Sequence, residues 1–357
     1  MSELNQMSIL DKFRNRSTES HRPLQASLEL TYRCNERCTH CYIEEFKDDP
    51  KRVLKLQDWF KVLEELRAGG SLYLILMGGE PLLSPYFWDI SERATELGFH
   101  VSTISNGLKI KSLAVAQRMK ECGIKLATFS LYSLDPAIHD KMTSVRGSHE
   151  KLMAAIQFCL EAGIEVSING LLTEANARGM FDLYDWCVQN SLELKVDPNV
   201  TPKLNGDIEP TKMRASRETL LWFYRERSRR WANSRPSPSL ETENSYICNA
   251  AKGKCAVNPY GELLPCIEIR ESMGSLVTEA FDDIWFAPAS EKWRKPRIKD
   301  ITNNDSMELY SHCEHCPGMA KNEHGDAMKL TDYSKLVAEV KKQVYEEFKE
   351  KEKVYSQ

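Results

Sequence analysis

Three cysteines, Cys34, Cys38 and Cys41, stand at spacing C-x3-C-x2-C within residues 31–42. They follow a short apolar segment containing Leu28 and Leu30 that reads as a strand. Three thiolates on one short loop hold three irons of a cubane 4Fe–4S cluster and leave the fourth iron open to a small molecule. The same loop, with His40 as fourth ligand, also reads as a structural zinc site. A second group, Cys248, Cys255, Cys266, Cys313 and Cys316, lies in the C-terminal third. The remaining cysteines, Cys122, Cys159 and Cys187, fall on predicted helices and read as small buried hydrophobes. Residues 1–16 lack a signal-peptide core, so the expected location is cytoplasmic, where eleven cysteines point to metal or free thiols rather than disulfides.

The elements that position these residues alternate. Strands are expected at 27–32, 72–77, 100–105, 125–131, 164–172 and 193–198. Helices are expected at 55–68, 87–97, 112–121, 149–161, 180–189 and 217–231. The run from Leu72 to Met77 is continuously apolar, as in a strand buried on both faces. Such alternation makes parallel βα units with right-handed crossovers. Cys34, Gly78, Asn106, Ser130 and Lys195 all follow strands, and in a βα barrel those positions gather on the C-terminal face. Six units rather than eight give a partial, laterally open (β/α)6 TIM-like barrel. Residues 233–244 are a Pro/Ser-rich linker. Beyond it a hairpin is expected around 258–262, then a short helix near 280–285. A charged C-terminal helix follows, with Tyr333, Val337, Val340, Val344 and Phe348 on one face. The expected organisation is a lead-in at 1–24, a core at 25–232, a linker at 233–246, a small cysteine-bearing domain at 247–330 and a helix at 331–357.

With a net charge of −4 and no Lys/Arg block interleaved with aromatics, the chain carries no nucleic-acid signature. No apolar run approaches the ~20 residues of a membrane span.

Cys34-x3-Cys38-x2-Cys41, the Gly78-Gly79-Glu80-Pro81 turn after the second strand and the strand-end Ser130 together resemble a radical S-adenosylmethionine (radical SAM) enzyme. The C-terminal cysteines resemble that superfamily's SPASM and shorter twitch extensions. The resemblance implies S-adenosylmethionine on the open iron, reductive cleavage to a 5′-deoxyadenosyl radical, and removal of a substrate hydrogen. It implies that Gly78, Gly79, Glu80 and Pro81 meet the methionine amino group, with Glu80 accepting from the ammonium. Ser105, Asn106 and Ser130 would contact other parts of the cofactor. An arginine that the family often carries a dozen residues after that serine is displaced here: Met142 and Thr143 hold the register, and Arg146 lies beyond it. A full SPASM needs two further cysteines where this chain has Asn322 and Asp326. The resemblance therefore implies one auxiliary 4Fe–4S cluster on Cys248, Cys266, Cys313 and Cys316. Cys255 is left as an alternative ligand or a catalytic thiol, and Asp326 as an oxygen ligand. A structural zinc knuckle is the alternative for this group.

Tyr132, Lys195 and Asp197 are the substrate-contact candidates, with packing or an ordinary ion pair as the alternative. The leading expectation is a maturase of a ribosomally made peptide, forming a crosslink or an epimer. A small-molecule dehydrogenase or decarboxylase is the second reading, and a non-catalytic iron–sulfur or zinc module the third. About 25 residues precede the first strand, too few for a fused leader-binding domain. The expected partners are therefore a separate leader-binding protein and an electron donor such as flavodoxin or ferredoxin.

Overall fold

The computed structural model describes residues 20–231, 234–303 and 306–355. Six parallel strands form the core: β1 (Gln25–Glu29), β2 (Tyr73–Met77), β3 (His100–Ser105), β4 (Ile124–Ser130), β5 (Glu165–Leu171) and β6 (Glu193–Asp197). Between them run α1 (Leu56–Ala68), α2 (Phe87–Glu96), α3 (Leu113–Glu121), α4 (Pro136–Thr143), α5 (Ser148–Glu161) and α6 (Met180–Gln189), and α7 (Arg217–Arg230) follows β6. The strands pair in chain order from β1 to β6, and the sheet ends at β6 without closing. This is the partial βα barrel that six units dictate.

The alternation of each strand sorts its two faces. Ala26, Leu28, Leu74, Leu76, Ala127, Phe129, Val166 and Ile168 are buried in one core with Trp59, Val62, Leu63 and Leu66 of α1. Alternate positions carry Ser27, Glu29, Thr128, Ser130, Ser167 and Asn169, so the other face is a polar row. Two of its members bond across strands, with the hydroxyls of Thr128 and Ser167 2.8 Å apart.

The C-terminal part continues this sheet. β7 (Lys254–Val257) pairs in parallel with β1, and β8 (Glu262–Leu264) and β9 (Gly274–Ser275) follow antiparallel, giving the order β6-β5-β4-β3-β2-β1-β7-β8-β9. The expected hairpin is thus present and hydrogen-bonded to the first barrel strand. Short helices α8 (Phe281–Trp285), α9 (Pro288–Glu291), α10 (Met307–Tyr310) and α11 (Pro317–His324) complete this part. The last helix, α12 (Asp332–Tyr355), lies on α7, where Arg225 makes a bidentate pair with Glu347. Tyr333, Val337, Val340 and Val344 are buried, as their spacing predicts. Among the described residues no helix is long and apolar enough to cross a membrane.

Helix α4 is absent from the sequence expectations. Its start is nevertheless chemically ordinary. Asp135 Oδ1 accepts from the Ala137 N–H at 2.8 Å, and Pro136 takes the first helical position, where no N–H is needed.

Candidate active site

The loop after β1 carries Cys34, Cys38 and Cys41 and rests on the turn after β2. Gly79 N donates to the Thr31 carbonyl and Glu80 N to that of Arg33, both at 2.8 Å. The two glycines permit this approach. A Cβ on Gly79 would sit 2.6 Å from the Tyr32 carbonyl oxygen and closer still to that of Arg33. Gly78 adopts φ +139, and a Cβ there would collide with the Thr31 carbonyl. The glycines therefore seat the cysteine loop directly.

Glu80, expected to accept from the methionine ammonium, also holds donors of the chain itself. It is fully buried, and both carboxylate oxygens are engaged. Oε1 accepts from Ser105 Oγ (2.9 Å) and Leu82 N (3.2 Å), and Oε2 accepts from Asn106 N (2.9 Å) and Ser105 Oγ (3.1 Å). Burial raises its pKa to about 7 against the pull of these donors. Glu80 thus braces the β2 turn against the end of β3. Ser105 is spent on this brace. Asn106 reaches the cysteine loop instead, its Nδ2 donating to Asn35 Oδ1 at 2.8 Å and lying 3.7 Å from Cys34 Sγ.

Tyr132 is buried, with its hydroxyl 2.9 Å from His40 Nε2 and bonded to the Ser130 side chain. It ties His40 of the cysteine loop to the end of β4, and its hydroxyl lies within electrostatic reach of Cys38 and Cys41. Ser130 is thereby tied to the same loop. His139 stacks on Tyr132, and Asp140 accepts from Gly147 N, His149 N and Ser148 Oγ, which makes both structural. Arg146 is exposed.

Lys195 and Asp197 do not pair. Lys195 lies 3.6 Å from Glu193, and Asp197 Oδ1 accepts from Asn199 N and Nδ2 at 2.8 and 2.9 Å. Asp197 is open to water yet recessed, and burial raises its pKa. It lies within the electrostatic reach of Glu314 and Lys341, which flank Cys313, so the end of β6 faces the second cysteine group.

That group converges in part. Cys248 and Cys266 both act electrostatically on Cys316, and Tyr310 feels Cys313 and Cys248 together. Among the described residues no three His, Cys, Asp or Glu side chains are drawn tightly around one metal-ion position.

The backbone distinguishes ligand-type thiols from core thiols. An N–H points at the sulfur of Cys34 (from Glu36, 3.4 Å), Cys248 (from Ala250, 3.5 Å) and Cys316 (from Met319, 3.4 Å). Others serve Cys41 (from Ile43), Cys266 (from Glu268 and Ile269) and Cys313 (from Glu314). Such donors stabilise thiolates, as iron–sulfur ligands require. Cys38 has the Glu36 carboxyl at 3.4 Å. Burial raises the thiols of Cys34, Cys38, Cys41, Cys266, Cys313 and Cys316, Cys34 and Cys316 to about 12, so a bound cation is needed to hold them deprotonated. Trp293, whose buried Nε1–H has no hydrogen-bond partner among the described residues, packs against the small cluster of Ala250, Cys266 and Ile269. The residues present fit two iron–sulfur clusters.

Cys255 departs from this pattern, which corrects its candidacy as ligand or catalytic thiol. It sits on β7 in the apolar core, its sulfur 3.9 Å from the Gln25 carbonyl, and burial alone raises it. Cys159 and Cys187 are likewise raised by burial alone. Asp326 spends Oδ1 on Met328 N and shows no link to the cysteines.

One feature lies beyond the reach of sequence reasoning. Glu29, fully buried at the end of β1, makes a bidentate ion pair with Arg270 (2.8 Å to Oε1), over which Tyr32 and Tyr42 lie. The pair joins the barrel to the C-terminal part between the two cysteine groups.

The profile of the Radical SAM superfamily matches residues 28–186, and that of the SPASM iron–sulfur cluster-binding domain matches 248–317. The chain belongs to the radical SAM superfamily. This radical SAM enzyme is 24% identical to an AdoMet-dependent heme synthase of Nitratidesulfovibrio vulgaris, over 84% of this chain and 89% of the relative. It is 23% identical to the antilisterial bacteriocin subtilosin biosynthesis protein AlbA of Bacillus subtilis, over 84% and 68%. Its fold is similar to that of Streptococcus suis SuiB bound to precursor peptide SuiA, with TM-score 0.67, 17% identity and coverage of 90% and 79%.

Proposed function

We propose that this radical SAM enzyme modifies a ribosomally made peptide, removing a hydrogen atom from one residue to set up a crosslink or an epimerisation. The observation that carries this reading is a long open cleft at the C-terminal ends of the strands. A cavity of about 780 Å³ opens beside Cys38 and Cys41, with Ile43, Phe46, Met142 and Met213 among its apolar lining. A second, of about 410 Å³, adjoins it at Ile43 and Glu44 and reaches Tyr260 of the C-terminal hairpin. Two adjoining clefts accommodate an extended segment, whereas a small substrate calls for one enclosed pocket. The printed descriptions of AlbA and SuiB support the same reading.

With S-adenosylmethionine on the open iron, one electron yields a 5′-deoxyadenosyl radical that takes the substrate hydrogen. Cys34, Cys38 and Cys41 hold the cluster for that chemistry, and Asn106 donates toward Cys34. Glu80, bonded to Ser105 and Asn106 N, fixes the turn on which the loop that would hold the cluster rests. The polar row of Ser27, Thr128, Ser130, Ser167 and Asn169 offers hydroxyl and amide groups to the cofactor. Cys248, Cys266, Cys313 and Cys316 hold one auxiliary cluster. A flavodoxin or ferredoxin supplies the electron, and a separate protein presents the leader.

The test is anaerobic incubation with S-adenosylmethionine, reductant and, as candidate substrates, the products of any short reading frames found beside the gene. The expected product is 5′-deoxyadenosine together with a peptide that has lost a pair of hydrogens or has taken up one solvent deuterium. The heme synthase relatives define the rival. An unchanged peptide, with 5′-deoxyadenosine and carbon dioxide formed from a tetrapyrrole carboxylate, would establish the small-molecule reading instead.

A further inference from the structure

Cations gather at the N-terminal end of β1 and β7, the opposite end of β1 from the cysteine loop. His21 precedes β1 and Lys252 precedes β7, and the two strands pair in parallel. Tyr246 holds the group together. Its hydroxyl is 3.3 Å from His21 Nε2, and its ring centre lies 4.3 Å from the Lys252 ammonium and 3.4 Å from the Arg297 guanidinium. Arg294 joins through Trp285. The Trp285 indole N–H donates to the His21 carbonyl, and the Arg294 guanidinium lies 5.1 Å from the Trp285 ring centre. His21 and Lys252 each feel Arg294 and Arg297 as like charge.

Two of these cations are buried outright: Lys252 is 1% exposed and Arg294 5%. The acids nearby are engaged elsewhere. Asp282 pairs with Arg22, Glu291 pairs with Lys295, and Asp300 Oδ2 accepts from the backbone N–H of Arg297. Nε and Nη2 of Arg294 are buried without any hydrogen-bond partner. A buried charge normally has a counter-charge and satisfied hydrogen bonds, and aromatic faces offset only part of the cost of lacking them.

We propose that Lys252, Arg294 and Arg297 form a binding site for a phosphate group, with His21 at its mouth. The proposal goes beyond the peptide reading and is independent of the substrate. Nε and Nη2 are the two donors along one edge of a guanidinium, the edge that grips carboxylate or phosphate with two parallel hydrogen bonds. Charge decides between those ligands. A carboxylate balances one cation, whereas a phosphate carries about −1.5 to −2 at pH 7 and balances more of the three. His21, Tyr246 and Arg297 are half-buried, so the site is reached from solvent on their side.

The test is anaerobic isothermal titration of the iron-loaded full chain with inorganic phosphate, in phosphate-free buffer at fixed ionic strength. Wild type is expected to bind one phosphate per chain saturably, with acetate competing at least about tenfold more weakly. Arg294→Met and Lys252→Met are each expected to weaken phosphate at least about tenfold, because each removes a charged donor. Lys295→Met removes an exposed cation beside them and is expected to leave the affinity within about twofold. Should either buried variant lose its iron, Arg297→Gln, on the half-buried side, decides by the same tenfold criterion. Titration with AMP then identifies the source: tighter binding than phosphate marks a phosphate monoester, weaker binding the free ion. Absent or unsaturable binding, equal competition by acetate, or an affinity unchanged in the variants would overturn the proposal.

Discussion

Replacing Gly79 with alanine isolates the contact that seats the cysteine loop. The backbone at Gly79 is outside the left-handed region, so the added methyl brings no torsional strain. Its whole effect is steric. The new Cβ would meet the carbonyl oxygens of Tyr32 and Arg33 and the Arg33 carbonyl carbon at 2.7 Å or less, and all of these are backbone. Relief requires the turn and the loop to separate. The hydrogen bonds from Gly79 N to Thr31 O and from Glu80 N to Arg33 O, each 2.8 Å, are then lost. Losing a buried hydrogen bond costs about 1–3 kcal/mol, so the pair amounts to about 2–6 kcal/mol. The loop, rather than the barrel core, takes this penalty. The expected phenotype is therefore selective: iron at the N-terminal site falls steeply, while iron at the C-terminal site and the far-ultraviolet circular dichroism stay near wild type. Gly179→Ala is the control, because its Cβ would meet only Ser133 Oγ at 3.7 Å. Full iron and wild-type formation of 5′-deoxyadenosine in Gly79→Ala would refute the reasoning.

Further outcomes follow from the same geometry. Asn106→Ala removes the amide near Cys34 and the bond to Asn35; a rate of 5′-deoxyadenosine formation lowered by about 10–100-fold is expected, as for other outer-shell ligand partners, and an unchanged rate would contradict the role. Burial raises the Glu80 carboxyl from its ordinary 4.5 to about 7, so the folded chain holds this proton more tightly than the unfolded one. The resulting stability, about 3 kcal/mol, is complete below about pH 4.5 and lost as pH rises through about 7. Glu80→Gln should consequently gain on wild type in thermal melts of the unloaded protein between pH 5 and 8, whereas a constant gap would count against the shift. Cys255→Ala is expected to keep the wild-type iron content while losing about 1–2 kcal/mol of stability to a small cavity. Loss of iron in that variant would restore Cys255 as a ligand.

The barrel was legible because its signals are local. The apolar run from Leu72 to Met77 and the 3.6-residue patterns of the helices each state their element without reference to the rest of the chain. The cysteine loop was legible because ligand spacing on one loop is itself a local property. What escaped depends on packing. Helix α4 lacks a strong apolar stripe, and only its Asp135–Pro136 start marks it. Cys255 looked like a ligand by position in the sequence. Its orientation is fixed by the pairing of β7 with β1, a contact across some 230 residues that turns it into the core. Glu80 and Ser105 read as cofactor contacts because their motifs resemble the family's. The fold spends them on each other, which only the proximity of β2 and β3 reveals. Glu29 and Arg270, far apart in the chain, likewise meet only through that β1–β7 pairing.

The central claim is that one chain carries a radical cluster and one auxiliary cluster on separate sets of cysteines. It is tested most directly by iron and acid-labile sulfide per chain, on protein reconstituted without oxygen, for wild type and for the Cys34/Cys38/Cys41→Ala variant. Two cubanes predict about eight irons, falling to about four in the variant. About four irons falling to none would contradict the claim and leave Cys248, Cys266, Cys313 and Cys316 without a cluster.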